Sequence, residues 1–283
     1  MIKKLLGIAP RKEPDGSYSP SPVSLRLATS ETTGYEAISY DMYEGKKSKI
    51  LVILTEHKDL IMQNGKKFST GNHPVETLVP MLHLRNAGFT FEIATPTGQP
   101  VIFEMWAFPE KDQNVKGIYK DLKHKFDHPR SLTDFISEDL SSPDSYAAIF
   151  IPGGHGAMIH IPEDPNVDKV LRWAHDNDLY TISICHGPGS FLSTTLDNQT
   201  FLYDGYEMAV FPDSVDAKTP MIGYLPGKMP HGLSEPLKRL GAKVMNSKAD
   251  DTVHKDRRLI TGASPEASNA LGKLAASTLL EDL

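Results

Sequence analysis

Cysteine is almost absent from this chain of 283 residues: the only one, Cys185, sits in "TISICHGPGS". One thiol cannot close an internal disulfide, which excludes a disulfide framework and makes the cytoplasm the expected location. No apolar run reaches the roughly 18 residues that a membrane-spanning helix needs, so neither a span nor a membrane partner is expected. The opening "MIKKLLGIAPRK" carries lysines, but its apolar stretch is too short for a signal peptide and no small-residue cleavage site follows. Basic charge is in deficit as well. With 30 Lys and Arg against 36 Asp and Glu the formal net charge is −6, which argues against a general nucleic-acid binder, since phosphate contacts need a basic face. Repeats and low-complexity tracts are missing. So are several familiar motifs: "GYLPGKM" lacks the spacing and the Ser/Thr of a P-loop, no G-x-G-x-x-G follows a strand-like run, and there is no H-E-x-x-H.

What remains is an ordinary globular composition, long enough to bury a core without staples. The first 47 residues, rich in Pro, Ser, Gly and Tyr and without sustained periodicity, read as an extended arm whose tyrosines dock on the body. From 48 to 283 the pattern turns regular. Short apolar runs at 49–54 ("KILVIL"), 89–95, 146–154 ("YAAIFIPGG", ending in two glycines) and 179–184 ("LYTISI") have the composition of strands buried on both faces. Further strand candidates lie at 205–211, 242–246 and 258–262. Helical patterns fall between them: "HPVETLVPMLHLRNAG" with Gly88 at its C-terminal end, "VDKVLRWAHDND", and a closing helix capped by Ser264 with Pro265 at its first position. Alternating apolar strands and helices predict an α/β fold, a flavodoxin-like sandwich with a mainly parallel sheet between helices. The polar span 96–145 breaks the rhythm and is expected to form a small lid or accessory domain with the arm.

In open α/β sheets ligands bind beyond the carboxyl ends of the strands. Three such ends carry chemistry here: Gly153 and Gly154 after "AIFIP", Cys185 and His186 after "TISI", and Asp213 after "AVFP". A sharp turn at Cys185 into a helix opening at Gly187-Pro188 would push the thiol into the cleft and set it near a helix N-terminus, where a thiolate is favoured. A free cysteine after an apolar strand is commonly core, but the Cys-His-Gly-Pro context at a strand end favours a nucleophile. His186 serves as base or caps the turn; Asp213 orients His186 or caps a helix. The two glycines either offer amides to an oxyanion or make a plain turn, with His155 in that turn as a pocket-lining residue. Glu76, in the first turn of its helix, is a helix-end carboxylate or a buried proton carrier beside the cysteine.

These segments, with "GNHPVETL", "AAIFIPGGHG", "ISICHGPGSFL", "IGYLPG" and "VHKDRRLITGASPEASNALGKLA", resemble the ThiJ/PfpI superfamily and, more narrowly, its HchA branch of heat-shock chaperones described as glutathione-independent glyoxalase III and protein deglycase. The resemblance runs from about residue 48 to the end and more loosely through the arm. It implies Cys185 as nucleophile, His186 and Asp213 as its triad partners, Glu76 as the carboxyl that contacts the thiol, and Gly154 with the His186 amide as oxyanion donors. It implies conversion of methylglyoxal to lactate, deglycation of proteins and nucleotides, and holdase activity on unfolding proteins. It also implies a homodimer and a reaction without a cofactor. Some relatives carry a His/Glu/His metal site; the matching positions here are Arg85, Thr90 and Leu122, which cannot make one, so no metal is expected, although His83 and His124 lie close by in sequence. Other readings are a non-catalytic stress chaperone, a thiol redox sensor on Cys185, or a small-peptide hydrolase. A glutamine amidotransferase is set aside because "HGLSE" has the wrong spacing for its His-x-Glu pair.

Overall fold

The computed structural model describes residues 6–283. The arm contributes β1 (Arg11–Lys12), β2 (Tyr18–Ser19) and a short helix, Pro22–Ala28, capped by Ser21. The body then supplies β3 (Lys49–Ile53), β4 (Asp59–Ile61), β5 (Lys67–Ser69), β6 (Thr90–Thr95), β7 (Arg130–Ser131), β8 (Tyr146–Ile151), β9 (Tyr180–Ile184), β10 (Glu207–Met208), β11 (Lys243–Val244), β12 (Val253–Asp256) and β13 (Leu259–Gly262). Seven of these form the central sheet in the order β12-β13-β9-β8-β3-β6-β7, parallel throughout except for the antiparallel edge pair β12-β13. The mainly parallel sheet read from the apolar runs is therefore present.

Alternation along β3 explains why its run is apolar at every position. Ile50 and Val52 face a core shared with helices Pro74–Asn86 and Ser268–Asp282; Leu51 and Ile53 face a second core against helix Pro165–Asp176. All four side chains are fully buried. Each such burial stabilises the fold by ~1.5–3 kcal/mol before the entropy of ordering is subtracted.

Tyrosines of the arm contact the body. The Tyr40 hydroxyl meets His83 Nδ1 at 2.9 Å, Asn86 donates to the Tyr35 hydroxyl, and Tyr43 stacks on Phe89. Residues 96–145 do not stand apart as a lid. Helix Gln113–Asp127 buries Val115, Ile118 and Phe126 in the first core, β7 extends the central sheet, and Leu132 and Phe135 enter the second core. The accessory layer is instead the sheet β1-β2-β5-β4, built from the arm and from residues just after β3, over a small cluster of Leu60, Met62, Phe68, Ile159 and Leu225. The strand expected at 205–211 shrinks to β10. Beyond it the backbone N–H groups of Ala209, Val210 and Phe211 donate to Thr261 Oγ1, Asn246 Oδ1 and the Cys185 carbonyl, so they are satisfied without a strand ladder. Among the described residues no helix is long and apolar enough to cross a membrane.

Candidate active site

Strand β9 ends at Ile184, and the chain reverses at once. Cys185 takes φ +59°, a left-handed conformation unusual for a residue with a Cβ. Two backbone bonds hold it there: its N–H donates to Gly262 O at 2.8 Å, and its carbonyl accepts from Phe211 N at 2.9 Å. The elbow opens into a 3-10 run, Gly187–Asn198, rather than the expected α-helix. Gly187 is required at the bend, because a Cβ would collide with the Ile151 carbonyl and come within 2.5 Å of Ser183 Oγ.

The elbow lets adjacent side chains meet. Cys185 Sγ lies 3.3 Å from His186 Nδ1, and His186 Nε2 lies 2.8 Å from Asp216 Oδ2. His155 Nε2 approaches the other oxygen of Asp216 at 3.0 Å. One buried carboxylate thus holds two imidazoles, whose rings sit 4.2 Å apart, with Phe211 against His186. Burial alone would raise the Asp216 carboxyl, but His186 and His155 beside it hold it well below its ordinary value. Asp213, expected as the partner of His186, is elsewhere. It lies one turn earlier on the short helix Asp213–Asp216, and its carboxylate accepts from the backbone N–H groups of Leu233, Ser234 and Glu235. It caps the start of helix Ser234–Arg239, whereas the cap expected from the sequence was one within its own "FPDSVD" segment.

Glu76 does reach the thiol. The Pro74–Asn86 helix starts at the sheet edge, with Pro80 in its interior, so the Glu76 carbonyl loses the N–H that would normally bond it four residues on. The Glu76 side chain is 1% exposed, and among the described residues neither oxygen has a partner at hydrogen-bond geometry. Burial pushes its pKa well above the usual carboxylate range; the nearby Cys185 thiol and the Gly154 and Gly153 amides pull the other way without cancelling it. The expected oxyanion donors Gly153 and Gly154 therefore face Glu76. The Cys185 thiol is itself raised by burial and then by Glu76, so the helix-end stabilisation of a thiolate expected from the sequence does not dominate in the resting site.

Cys185, His186, His155, Asp216, Glu76 and Gly154 line one cavity of about 280 Å³. The sequence did not single out three of its walls: Glu104, His73 and Tyr224. Glu104 follows "VIF", and an acidic residue in an apolar stretch outside any helix was the available signal. The His73 pKa falls to about 3, from burial and then from His155 and His186. Leu27 and Ala28 of the arm line part of the cavity. Donor atoms of His155, His186 and Asp216 all lie within 4.8 Å of one another, as metal ligands would, but each imidazole already spends Nε2 on Asp216 and hydrogen bonding accounts for the cluster. Of the other positions considered for a metal, Arg85 pairs with Asp121 at 3.0 Å, and both ring nitrogens of His83 are engaged, by Tyr40 and Asn269.

Residues 68–201 match the DJ-1/PfpI family. The protein/nucleic acid deglycase HchA of Escherichia coli O157:H7 (strain EC4115 / EHEC) is 45% identical over 94% of this chain and 93% of its own length. The chain belongs to the DJ-1/PfpI family. Within the family, the protein/nucleic acid deglycase 1 of Escherichia coli K12 matches to the same extent, 45% over 94% of this chain and 93% of that one. The DJ-1/PfpI fold is also seen in the solved structure of glyoxalase III from Candida albicans, with a TM-score of 0.62 over 81% of this chain and 96% of that one, at 21% identity.

Proposed function

We propose that this protein is a cysteine-dependent enzyme that converts α-oxoaldehydes to α-hydroxy acids without glutathione and acts as a deglycase on the sugar-like adducts such aldehydes form. The observation that carries the reading is the meeting of Cys185 Sγ, the His186–Asp216 pair and the buried Glu76 in one small cavity. The 45% identity to proteins named deglycases supports it.

His186 Nδ1 takes the thiol proton as Sγ bonds to the aldehyde carbon, and Asp216 stabilises the imidazolium that results. That proton passes to the former aldehyde oxygen, giving a hemithioacetal. The carboxylate form of Glu76, a stronger base than an exposed glutamate because of its burial, takes the hydrogen on C1 and returns it to C2, while the C2 oxygen gains a proton as the ene-diol forms and the C1 hydroxyl gives one up as it collapses. A thioester of the hydroxy acid remains; water cleaves it and frees the thiol. Methylglyoxal plus water becomes lactate plus a proton, with C1 oxidised and C2 reduced, so no outside oxidant enters. For an adduct on a protein side chain, the cavity beside Leu27 and Ala28 has only to admit the sugar-like end.

The test is lactate formation from methylglyoxal, without glutathione or added metal, by wild type and Cys185→Ala. Lactate from the first and none above background from the second is the expected result. A wild type that makes no lactate refutes the reading.

A further inference from the structure

A second acid is buried in the same cavity. Glu104 is 1% exposed, and its Oε1 accepts from Thr70 Oγ1 at 2.5 Å. Among the described residues Oε2 has no partner, and the side chain lines the cavity that holds Cys185. Native proteins rarely leave a buried carboxyl oxygen unpaired unless a ligand or water takes it up. The other buried orphans on this cavity are the Glu76 oxygens and Nδ1 of His73. Unsatisfied polar atoms therefore concentrate where a substrate must lie. Glu76 accounts for the carbon-bound hydrogen in the reaction above; nothing there accounts for the substrate's second oxygen.

We propose that Glu104 is a further catalytic residue, an acid that holds the C2 carbonyl oxygen of an α-oxoaldehyde and protonates it as the ene-diol forms. The inference rests on the glyoxalase reading. The protons balance. As Glu76 removes the C1 hydrogen, Oε2 of Glu104 gives its proton to the C2 oxygen. As Glu76 returns the hydrogen to C2, the C1 hydroxyl gives its proton back to Glu104 and becomes the thioester carbonyl. Because Oε1 is engaged by Thr70, the proton of the neutral acid belongs on Oε2. Burial raises the Glu104 pKa to about 7, with His155, Thr70 and the His155 amide opposing, so the acid form persists to near neutrality. The ionisable groups around the cavity with it are Glu76, Cys185, His155, His186, Tyr224, His73, Asp216 and, beside Pro265, Glu266. Glu104 favours substrates with two adjacent carbonyls over simple aldehydes, because only the former place a second oxygen at Oε2 of Glu104 while the C1 hydrogen faces Glu76.

The experiment is steady-state kinetics with methylglyoxal from pH 5.5 to 8.5 for wild type, Glu104→Gln and Thr70→Val. Wild-type kcat should fall above about pH 7 as Glu104 ionises. Glu104→Gln keeps the shape but cannot transfer the proton: kcat should drop ~10–100-fold with KM changed far less, and the alkaline fall should vanish. Thr70→Val removes a hydrogen bond that favours the carboxylate, so the fall should move to higher pH. Alkylation of Cys185 by iodoacetamide at a pH below about 7, where Glu104 is neutral and adds no charge beside the thiol, should be unchanged by Glu104→Gln, separating loss of the acid from damage to the thiol. If wild type makes lactate but the Gln variant keeps its kcat or its alkaline fall, Glu104 has no such role and the glyoxalase reading stands. If the Gln variant does not fold, an unmoved profile in Thr70→Val overturns the inference. No lactate from wild type removes both.

Discussion

Burying Glu104 has a thermodynamic consequence that can be measured without substrate. Its ordinary pKa is 4.5 and its folded value about 7. Below pH 4.5 it is neutral in both states and costs nothing by ionisation. Between 4.5 and 7 the unfolded chain releases the proton and the folded chain keeps it, so stability falls as pH rises; above about 7 both are ionised and the loss is complete. At about 1.4 kcal/mol per pH unit, a shift of some 2.5 units removes about 3 kcal/mol by pH 8. Glutamine has the same shape and does not titrate, so Glu104→Gln should escape that loss. Glu76 is present in both proteins, but the Glu104 charge raises it further in wild type alone, which adds to the difference in the same direction. Thermal unfolding at pH 5, 6, 7 and 8 is the assay. The melting temperature of the variant minus that of wild type should increase by roughly 5 °C between pH 5 and pH 8, at about 2 °C per kcal/mol for a chain of this size. Parallel curves would refute the reasoning: they would mean that Glu104 titrates alike folded and unfolded.

The two aspartates on one short helix should separate cleanly. Asp216→Asn should lower kcat by ~10²–10⁴-fold, because an amide cannot stabilise the His186 imidazolium; Asp213→Asn should leave kcat within a few-fold and lower stability by ~1–2 kcal/mol through loss of a charged cap. Parallel kinetics and thermal unfolding of the pair check this. Gly153→Ala should damage the site from behind: the new methyl would overlap Glu76 Oε2 and lie 2.6 Å from the Ile184 carbonyl and 2.8 Å from Cys185 Cβ. A loss of ~1–3 kcal/mol in stability, with slower iodoacetamide labelling of Cys185, is the expected outcome.

The fold was legible in the sequence wherever a strand is buried on both faces. β3, β8 and β9 carry unbroken or nearly unbroken apolar runs because each contacts helices above and below; the bounds of β3 and β9 came within a residue, while β8 stops at Ile151, three residues short of the expected Gly154. β12, β4 and β5 went unread because their residues are mixed and partly exposed, and two- to four-residue strands leave no period to detect. The 96–145 span was misread as a lid because its helix is polar on one face; that polarity marks a helix covering the sheet with its other face. At the site, Cys185, His186 and the paired glycines were legible because a strand end followed by Gly or His-Gly leaves few conformations. The aspartate was not. "FPDSVD" offers two carboxylates three residues apart, and only the packing of residues 233–235 over the first of them decides which is left for His186.

Three carboxyls buried in one place differ in state for reasons of surroundings, not of residue type. Asp216 has two imidazoles at 2.8 and 3.0 Å and is held ionised; Glu76 and Glu104 have no cation of their own against the same burial and are held toward the neutral form. That division suits a reaction whose net result is movement of protons between neighbouring atoms of the substrate. In the proposed reaction an ionised Asp216 keeps His186 ready to take the thiol proton, which the raised Cys185 would otherwise retain. Acids titrating near or above neutrality can both give and take protons at working pH, which an ordinary exposed glutamate cannot. It follows that adding a cation to the cavity should convert the acids rather than strengthen the site. A Tyr224→Lys substitution, placing an ammonium on the cavity wall, should draw Glu104 and Glu76 toward their ionised forms. The alkaline fall in kcat should then shift to lower pH while Cys185 becomes easier to alkylate. Faster labelling with an unshifted kcat profile would show that the thiol, and not the two acids, sets the pH dependence of turnover.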